Sequence, residues 1–389
     1  MRCSQDMSGE SELFCPESVE WPGLRVPCGS IVVAIDIGCS LIKLCHLVDD
    51  LCTGKNAAAD LQEPCIHCEK QEIGSNVRMN FISLKNSDIE KCMQYIKQLM
   101  ETTRKKPVII GLGVGTLKHR ERIKSELRVE LQESDEFKCF AKAFHSILEN
   151  QQLAASFVLP SVDPVIDHRQ FGLAQPTPDN SQTNDDQADE IFPAILCVLG
   201  STANFLKIDA DGSYTYLHNV KRCGVFFYSL GKILTGCETY EELMSLTREG
   251  HAPNLTICLD EILTEKYGDV DGVRLSKSLQ SLDFRAETLP FGRLIKDDSL
   301  KPTREDMARA LLHTVADGVM DVAVLLAKET RLRRVYFAGS FLRENFPARD
   351  YLSQMPYASM NRWMVNARFL RHDGYIGVMG AVLNCVGSQ

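Results

Sequence analysis

The amino-acid sequence predicts an α/β protein with two lobes, each built on its own β-sheet. The chain has 389 residues, which exceeds the size at which a single hydrophobic core stops growing. Apolar strand-like runs alternate with helix-like segments, which is the pattern of a mainly parallel α/β sheet. Segments beginning at Ile31 and Phe192 share one order of apolar strand, glycine-containing turn and second strand. We therefore expect duplicated β-sheet domains.

The first half opens on a β-branched run over 31–35 that ends in the tripeptide Asp36-Ile37-Gly38. Apolar runs and apolar residues at helical spacing continue the pattern. They predict strands over 41–48, 77–84 and 108–112 and helices over 89–100 and 134–150. These elements would complete the N-terminal lobe.

The second half begins with the apolar run 192–199, and its closing elements alternate in the same way. Thr303 stands where a helix N-cap is expected, before a long apolar stripe that reaches residue 330. Further strands are predicted over 204–208, 334–338 and 364–370, with a final helix from about residue 375. The stripe predicts a mostly buried helix.

Composition shifts divide the chain into four segments. Residues 1–27 are polar, with Pro and Gly near their end, and we expect a flexible N-terminal arm. Residues 28–165 would form the N-terminal lobe and residues 191–389 the C-terminal lobe. Between them, residues 166–190 are polar and poor in apolar side chains, so we expect a mobile loop.

Charge and hydropathy exclude several classes of partner. The formal net charge is −9, and no block rich in Lys or Arg stands out, so we expect no nucleic-acid partner. No apolar run approaches the roughly 18 residues that a membrane-spanning helix needs. The first residues lack the basic stretch and apolar core of a secretion signal. We therefore expect a cytoplasmic protein without a membrane span.

The cysteines favour reduced thiols. There are 15 of them, scattered along a large chain. Cys65 and Cys68, with His67 between them, could begin a zinc site, but no second pair follows at finger-like spacing. The other interpretation is a surface loop that contains thiols, and we expect no protein-bound metal.

Five blocks of the sequence carry motifs that occur in a fixed order. They are DIGCSLIKL (36–44), SDEFKC (134–139), LTGCETYEE (234–242), FAGSFLR (337–343) and HDGYIGVMGA (372–381). In this order they resemble motifs of the eukaryotic pantothenate kinases. The first resembles the family's DIGGTLVKL, a strand and turn of the type that receives nucleotide phosphates. Collinear blocks over most of the chain identify it as a divergent member of this family.

The resemblance implies a fold, a reaction and a set of partners. The fold would be the two-lobed actin-like ATPase fold of sugar kinases, heat-shock chaperones and actin. The reaction would transfer a phosphoryl group from Mg-ATP to pantothenate, giving 4'-phosphopantothenate in coenzyme A synthesis, with magnesium carried by the nucleotide. The family also implies a homodimer, formed here through the helix over 303–330, and acyl-CoA as a regulator.

The resemblance also assigns site residues. Glu136 falls on the general base, and Asp36 is the second catalytic residue. Pantothenate would contact Tyr216, which falls on a family arginine, and Arg343. The expected ATP and phosphate contacts are Gly38, Ser40, Lys43, Gly113, Gly115, Gly200, Ser201 and Gly339. Without the resemblance, a Glu at a helix start indicates a solvated carboxylate, and Arg343 fits an anchoring role as well as an anion-binding one.

Several loops depart from the family pattern. Cys39 and Thr202 replace glycines in the two phosphate turns, and Val114 interrupts a glycine run. The segment 223–227 reads CGVFF where the family has GGGTF, so bulky side chains stand in a nest of backbone amides. Lys221 and Arg222 could replace the missing arginine, or they are solvated turn residues.

Three hypotheses follow for function. The first is a pantothenate kinase with weak or lost activity. The second is an inactive pseudokinase that binds coenzyme A-related ligands or a partner as a dimeric, regulatory module. The third is a kinase of the same fold for another hydroxylated substrate such as an amino sugar, against which the blocks at 234–242 and 372–381 argue.

Overall fold

The protein is described by a computed structural model that covers most of the predicted elements. It describes residues 17–21, 30–48, 77–103, 106–151, 153–154, 158, 191–258, 261–262, 265, 287–343, 345–354 and 365–387. The predicted loop over 166–190 and the Cys65–Cys68 pair lie outside these residues. The chain divides into two compact units, one of residues 1–143 with 377–389 and one of residues 144–376.

The first unit is built on a six-stranded sheet of order β1-β4-β3-β2-β5-β6. Its strands are β1 (Glu17–Trp21), β2 (Ser30–Ile37), β3 (Leu41–Val48), β4 (Val77–Lys85), β5 (Lys106–Leu112) and β6 (Leu131–Glu133). Its helices are α1 (Ile89–Thr103), α2 (Gly113–Lys118), α3 (Arg120–Leu127), the start of α4 (Glu136–Glu149) and nearly all of α10 (Ile376–Gly387). Strand β2 is apolar from Ile31 to Ile35 because it is buried in the middle of this sheet.

The second unit is built on a five-stranded sheet of order β13-β12-β7-β8-β9. Its strands are β7 (Ala194–Leu199), β8 (Ala203–Ile208), β9 (Tyr214–Val220), β12 (Arg334–Ala338) and β13 (Asn366–Phe369), with a separate pair of β10 (Ile257–Cys258) and β11 (Glu287–Leu289). Its helices are α5 (Gly224–Thr235), α6 (Tyr240–Glu249), α7 (Arg293–Lys296), α8 (Arg304–Thr330) and α9 (Phe346–Gln354). Thr303 caps α8 by accepting a hydrogen bond from the backbone N–H of Asp306, as the sequence predicts.

The two sheets share one topology. In the first, β2, β3 and β4 form an antiparallel meander, and β5 and β6 continue the sheet in parallel on the other side of β2. In the second, β7, β8 and β9 form the meander, and β12 and β13 continue in parallel. This repeated order is that of the duplicated actin-like ATPase domains, so the predicted fold class is confirmed.

Two segments lie elsewhere than their sequence suggests. Residues 17–21, within the expected flexible arm, form the edge strand β1, which pairs antiparallel with β4 and buries Trp21. Residues 377–387, expected in the C-terminal lobe, belong to the first unit. There α10 packs so closely on α4 that a Cβ at Gly380 would lie 1.8 Å from the carbonyl oxygen of Cys139.

The apolar stripe of helix α8 is buried, as the sequence predicts. Val319 and Leu326, expected in the core and on a dimer face, are 0% and 9% exposed because they pack into the core of their own unit. Among the described residues, α8 is also long and apolar enough to cross a membrane by length and composition, contrary to the sequence expectation. Its most apolar stretch is 61% buried inside the protein, and a core helix passes the same test.

Candidate functional site

The site in the first unit begins where β2 ends. Asp36 and Lys43 face each other across the β2–β3 ladder, and Lys43 Nζ lies 3.4 Å from Asp36 Oδ2. Asp36 is only 8% exposed. A carboxylate this buried needs a partner, and Lys43 supplies the positive charge.

The turn between β2 and β3 carries Gly38, Cys39 and Ser40. The N–H of Gly38 donates to the carbonyl of Leu41 at 2.9 Å. The side chain of Asn86 donates to the carbonyls of Gly38, at 2.7 Å, and Cys39, at 3.2 Å. The turn is therefore fixed from one side, and the side chains of Cys39 and Ser40 are exposed. The sequence does not single out Asn86, because an Asn that follows a strand gives no signal of which turn it will bind.

The junction of β5 and α2 packs directly against the end of β2. Gly113 has a positive φ of 75°, and a Cβ there would lie 2.7 Å from Asp36 Oδ1. A Cβ at Gly115 would lie 2.4 Å from the carbonyl oxygen of Ile37. Thr116 adds a hydroxyl that accepts a hydrogen bond from the N–H of Ile37 at 3.3 Å. Both glycines are thus required for the close packing of α2 on the end of β2.

Glu136 begins α4 and lies near the same carboxylate. Asp135, just before it, caps the helix by accepting a hydrogen bond from the N–H of Lys138 at 2.6 Å. Burial, followed by the Asp36 carboxylate, raises the pKa of Glu136 to about 6, and the Lys43 ammonium partly opposes them. A solvated first-turn carboxylate would not be raised in this way. Such a pKa suits a general base near neutral pH.

The second unit has a turn between β7 and β8 that is equivalent to the β2–β3 turn, but its hydrogen-bond partners differ. The turn of Gly200, Ser201 and Thr202 joins β7 to β8, and the N–H of Gly200 donates to the carbonyl of Thr202 at 2.9 Å. The first amides of α5 point at this turn: Gly224 N–H donates to Gly200 O at 3.0 Å, and Val225 N–H donates to Ser201 O at 3.3 Å. A Cβ at Gly224 would lie 2.5 Å from that Gly200 oxygen. These two amides therefore bind the chain itself.

The turn after β12 lies beside the Gly200 turn. Gly339 has a φ of 113°, and a Cβ there would lie 2.1 Å from the carbonyl oxygen of Leu199, so only glycine fits. The same oxygen accepts a hydrogen bond from the N–H of Phe341 at 3.0 Å. A Cβ at Gly200 would lie 3.9 Å from Ser340 Oγ. Gly200 and Gly339 are thus brought together at the carboxyl ends of their strands, where α/β folds bind ligands.

Arg343 makes an internal contact. Its guanidinium donates to the hydroxyl of Tyr375 at 2.8 Å, and its Cζ lies 5.1 Å from the centre of that ring. Tyr375 is 2% exposed. This geometry shows the anchoring role, in which Arg343 joins the turn after β12 to the turn after β13. A substrate contact for Arg343 stays a prediction.

Tyr216 lies away from the Gly200 turn. It faces Leu206, four residues along β8 from Thr202, a distance of about 14 Å at the usual rise of a strand. Asn219 is the β9 residue beside the turn: its amide nitrogen donates to Thr202 Oγ1 and to Asn204 Oδ1, each at 2.9 Å. Aligning β9 by the motif that follows it places Tyr216 on the family arginine, but its strand register holds it far from the phosphate turn.

The remaining candidates from the sequence are two basic residues after β9 and the possible metal ligands. Lys221 and Arg222 are exposed and directly follow β9. Within the described ranges, no group of three or more His, Cys, Asp or Glu side chains could hold a metal ion. The Cys65–Cys68 pair is not in those ranges.

Solved structures resemble the chain only distantly. The activator of 2-hydroxyisocaproyl-CoA dehydratase from Clostridium difficile, with bound ADPNP, is 14% identical, with a TM-score of 0.43 over 92% of this chain and 95% of that one. Glucokinase from Balamuthia mandrillaris in complex with glucose is 13% identical, with a TM-score of 0.37 over 91% and 92%.

Curated relatives resemble it over nearly its whole length. A 4'-phosphopantetheine phosphatase of Mus musculus is 29% identical over 90% of this chain, and pantothenate kinase 2 of Oryza sativa is 26% identical over 90%. The chain spans only 40% and 38% of those two proteins. Pantothenate kinase of Schizosaccharomyces pombe is 23% identical over 92% of this chain and 82% of its own length. The sequence model of the Fumble family matches residues 32–384, so the chain belongs to the Fumble family, the type II pantothenate kinase family.

Proposed function

We propose that this protein phosphorylates pantothenate from Mg-ATP, and that it does so weakly. Family membership and the names of the Oryza and Schizosaccharomyces relatives support the substrate. The observation that carries the chemistry is Glu136, half-buried beside Asp36, with its pKa raised to about 6. A carboxylate of this kind can take the proton of an attacking hydroxyl near neutral pH.

The three charged groups have separate tasks in this mechanism. Glu136 accepts the proton of the pantothenate hydroxyl as the oxygen attacks. Lys43, 3.4 Å from Asp36, holds the Asp36 carboxylate in position while it opposes the rise in the pKa of Glu136. Because phosphoryl transfer depends mainly on positioning and charge stabilisation, these fixed charges would supply much of the catalysis in the first unit.

The phosphate turns fit a nucleotide in part. Ser40 offers an exposed hydroxyl, and a Cβ added at Gly200 would have its nearest neighbours among the described residues 3.9 Å away. When bound, Mg-ATP would supply the phosphoryl group. By contrast, the N–H groups of Gly224 and Val225 donate to the carbonyls of Gly200 and Ser201. Amides bonded to the chain itself do not stabilise phosphate charge.

These bonds are the reason to propose weak activity. Removing one preorganised donor typically costs about 10²–10³ in rate. The side chain of Val225 is also 45% exposed at the start of α5, where the related sequences carry glycine. Because the Gly224 and Val225 N–H groups would not donate to phosphate, turnover would be far below the roughly 1–100 s⁻¹ of kinases.

A sensitive assay with labelled pantothenate and Mg-ATP tests the proposal. Glu136→Gln should abolish the slow turnover, because the base is lost without a change of shape. The matched control is Glu121→Gln, which alters another carboxylate in the first turn of a helix, but an exposed one. Turnover within about tenfold of the usual kinase range would contradict weak activity. Equal background rates for wild type and Glu136→Gln would contradict catalysis.

The second candidate is an inactive protein that binds coenzyme A-related ligands, and the same α5 contacts favour it. Calorimetry and thermal shift with Mg-ATP, pantothenate and acetyl-CoA, each alone, separate the two. Binding raises the melting temperature by linkage whether or not turnover occurs. Acetyl-CoA binding together with background turnover would establish this candidate, whereas slow turnover that depends on Glu136 would exclude it.

We also propose that the protein is a homodimer. Because the apolar stripe of α8 is in its own core, a dimer through this helix would use the opposite face, where Gly318 has open space and Leu325 is 58% exposed. Leu325→Glu should then weaken dimers in sedimentation. A monomer at micromolar wild-type protein would contradict this proposal.

A further inference from the structure

The turn between β7 and β8 presents hydrogen-bond donors that the described part of the chain leaves without an acceptor. The N–H of Gly200 is used, because it donates to the carbonyl of Thr202 at 2.9 Å. The N–H groups of Ser201 and Thr202 donate to no acceptor in the residues that the structure describes. Successive free amides in a turn form a concavity that attracts anions. The turn therefore keeps two backbone donors, although the first amides of α5 bind the chain itself.

Asn219 determines which way the hydroxyl of Thr202 donates. The amide nitrogen of Asn219 lies 3.3 Å from the carbonyl oxygen of Ala203 and 2.9 Å from Thr202 Oγ1. A carbonyl oxygen can only accept a hydrogen bond, so this end of the Asn219 amide is its NH₂ group. Thr202 Oγ1 is consequently the acceptor toward Asn219, and its own O–H proton is directed elsewhere. Within the described ranges, no group accepts this proton.

Asn204 is oriented by the same amide. It faces Asn219 across the β8–β9 ladder, and its Oδ1 accepts a hydrogen bond from Asn219 at 2.9 Å. The NH₂ group of Asn204 therefore points away from Asn219, and it too has no acceptor among the residues described. Since Thr202 and Asn204 both bind one nitrogen atom, their side chains lie on the same side of the sheet. Two side-chain donors are thus set beside the two backbone donors of the turn.

We propose that Thr202 and Asn204, positioned by Asn219, bind a phosphate group of Mg-ATP at this turn. The inference rests on the proposed nucleotide substrate and names the residues that hold it. The unused groups are all donors, and phosphate oxygens are acceptors that take several such bonds. Thr202 replaces a glycine of the related sequences, so here the substitution supplies a donor. The two side chains take over from the first amides of α5.

The charges around the turn also suit an anion. Neither β8 nor β9 contains Asp or Glu. Asp209, which follows the far end of β8, is ion-paired with Lys207 at 2.7 Å. Lys221 and Arg222 are exposed and directly follow β9, so they add positive potential two and three residues beyond Asn219. A bound phosphate would meet donors and positive charge.

Side-chain donors differ from backbone amides in one respect that affects the reaction. The Thr202 hydroxyl can rotate, whereas the fold fixes an amide in place. A donor of this kind stabilises bound nucleotide but supplies less of the preorganised stabilisation that raises kcat. The inference therefore agrees with slow turnover. Loss of the Thr202 hydroxyl should raise the KM for Mg-ATP and leave kcat nearly unchanged.

Calorimetric titration of the full-length protein with Mg-ATP tests the role of Thr202. Thr202→Val removes the hydroxyl but keeps the shape, and it should weaken Mg-ATP binding by about tenfold or more. Thr202→Ser retains the hydroxyl and should keep most of the affinity. The matched control is Thr215→Val, which alters an exposed threonine facing Lys207, five residues along β8 and about 17 Å from Thr202. It should change nothing.

Pantothenate, titrated separately, should bind all of these variants equally. The phosphate assignment would be overturned if Thr202→Val bound Mg-ATP like wild type or lost affinity for pantothenate instead. A wild-type protein that does not bind Mg-ATP would overturn it as well.

A double-mutant cycle tests the positioning role of Asn219. Asn219→Ala should weaken Mg-ATP binding in the wild-type background. It should have a smaller effect in Thr202→Val, because the hydroxyl that Asn219 orients is already absent. Equal losses in the two backgrounds would show that Asn219 supports the fold only.

These binding measurements also separate this inference from the proposed activity. Mg-ATP binding that depends on Thr202, together with background turnover, would contradict the kinase proposal alone. Slow turnover that depends on Glu136, with an affinity for Mg-ATP that is insensitive to Thr202, would overturn this inference alone.

Discussion

Asp36 and Lys43 form an ion pair that is nearly enclosed by the first unit. Their charged atoms are 3.4 Å apart, and the two side chains are 11% and 19% exposed. They lie at facing positions of β2 and β3, so strand register sets this distance. The pair also adjusts Glu136, whose pKa the carboxylate raises and the ammonium lowers. One cross-strand contact therefore connects the stability of the sheet with the chemistry of the site.

Replacing Lys43 should change both the stability of the first unit and the pKa of Glu136. Lys43→Met leaves the Asp36 carboxylate buried without its counter-charge, which should lower the free energy of unfolding by roughly 1–3 kcal/mol. It should also raise the pKa of Glu136 further, because the group that opposes the rise is gone. Urea denaturation and a carbon-13 titration of the Glu136 carboxyl measure the two. Lys43→Arg keeps the charge and should alter both much less; equal effects of the two variants would contradict the ion-pair explanation.

Glu136 should make stability depend on pH in a defined direction. Its pKa is about 6 in the folded protein against an ordinary 4.5. The folded state therefore binds more protons between these values, and the free energy of unfolding falls as pH rises through this window. Glu136→Gln removes the group, so at about pH 8 the variant should be more stable than wild type by up to about 2 kcal/mol, with little difference near pH 4.

Urea denaturation of both proteins at the two pH values checks this, since the difference isolates Glu136 from all other titrating groups. A stability difference that is the same at both pH values would show that Glu136 has an ordinary pKa in the folded state.

Periodicity predicted most strands and helices near where they occur. The runs that became β2 and β7 are fully apolar because these strands are buried in the middle of their sheets. The Asp36 motif and Glu136 are marked by local patterns, and the structure places them close enough to interact. Local sequence is sufficient to locate Asp36 and Glu136 because they lie at the end of a strand and the start of a helix. Residue patterns mark such ends.

Other features depend on partners distant in sequence. Asn86 binds a turn 48 residues earlier, and the role of Asn219 depends on its strand register with Asn204. The residue pattern of the apolar stripe of α8 is the same whether the stripe faces its own core or a second subunit. Only the tertiary structure shows that it faces its own core. Likewise, the sequence of α10 does not show that it returns to the first unit.

Gly113 tests the contact between α2 and Asp36. Gly113→Ala adds a Cβ 2.7 Å from Asp36 Oδ1 at a residue with a φ of 75°. Gly236→Ala is the matched control, because Gly236 has a φ of 68° but an added Cβ there would have no atom within 4 Å. In the control, the free energy of unfolding should fall by about 1 kcal/mol because of the left-handed backbone alone. In Gly113→Ala it should fall by roughly a further 1–3 kcal/mol because of overpacking. Equal losses in thermal or chemical denaturation would show that Asp36 moves aside freely.

Gly380 tests the packing of α10 on α4 by comparing two helical glycines. In Gly380→Ala the added Cβ would lie 1.8 Å from the carbonyl oxygen of Cys139, a backbone atom that cannot rotate away. Gly318→Ala adds its Cβ to open space on α8. Alanine has the higher helix propensity by about 1 kcal/mol, so Gly318→Ala should stabilise the protein slightly. Gly380→Ala should instead destabilise it by roughly 1–3 kcal/mol or more, because α10 must shift away from α4.

Denaturation of both variants by urea, monitored by circular dichroism, measures these opposite signs. Since α4 begins with Glu136, a shift of α10 should also change the carbon-13 titration of that carboxyl in Gly380→Ala and leave it unaltered in Gly318→Ala. Stabilisation by both substitutions would mean that α10 does not contact α4 at Gly380, and that the last segment of the chain is not packed in the first unit as the structure places it.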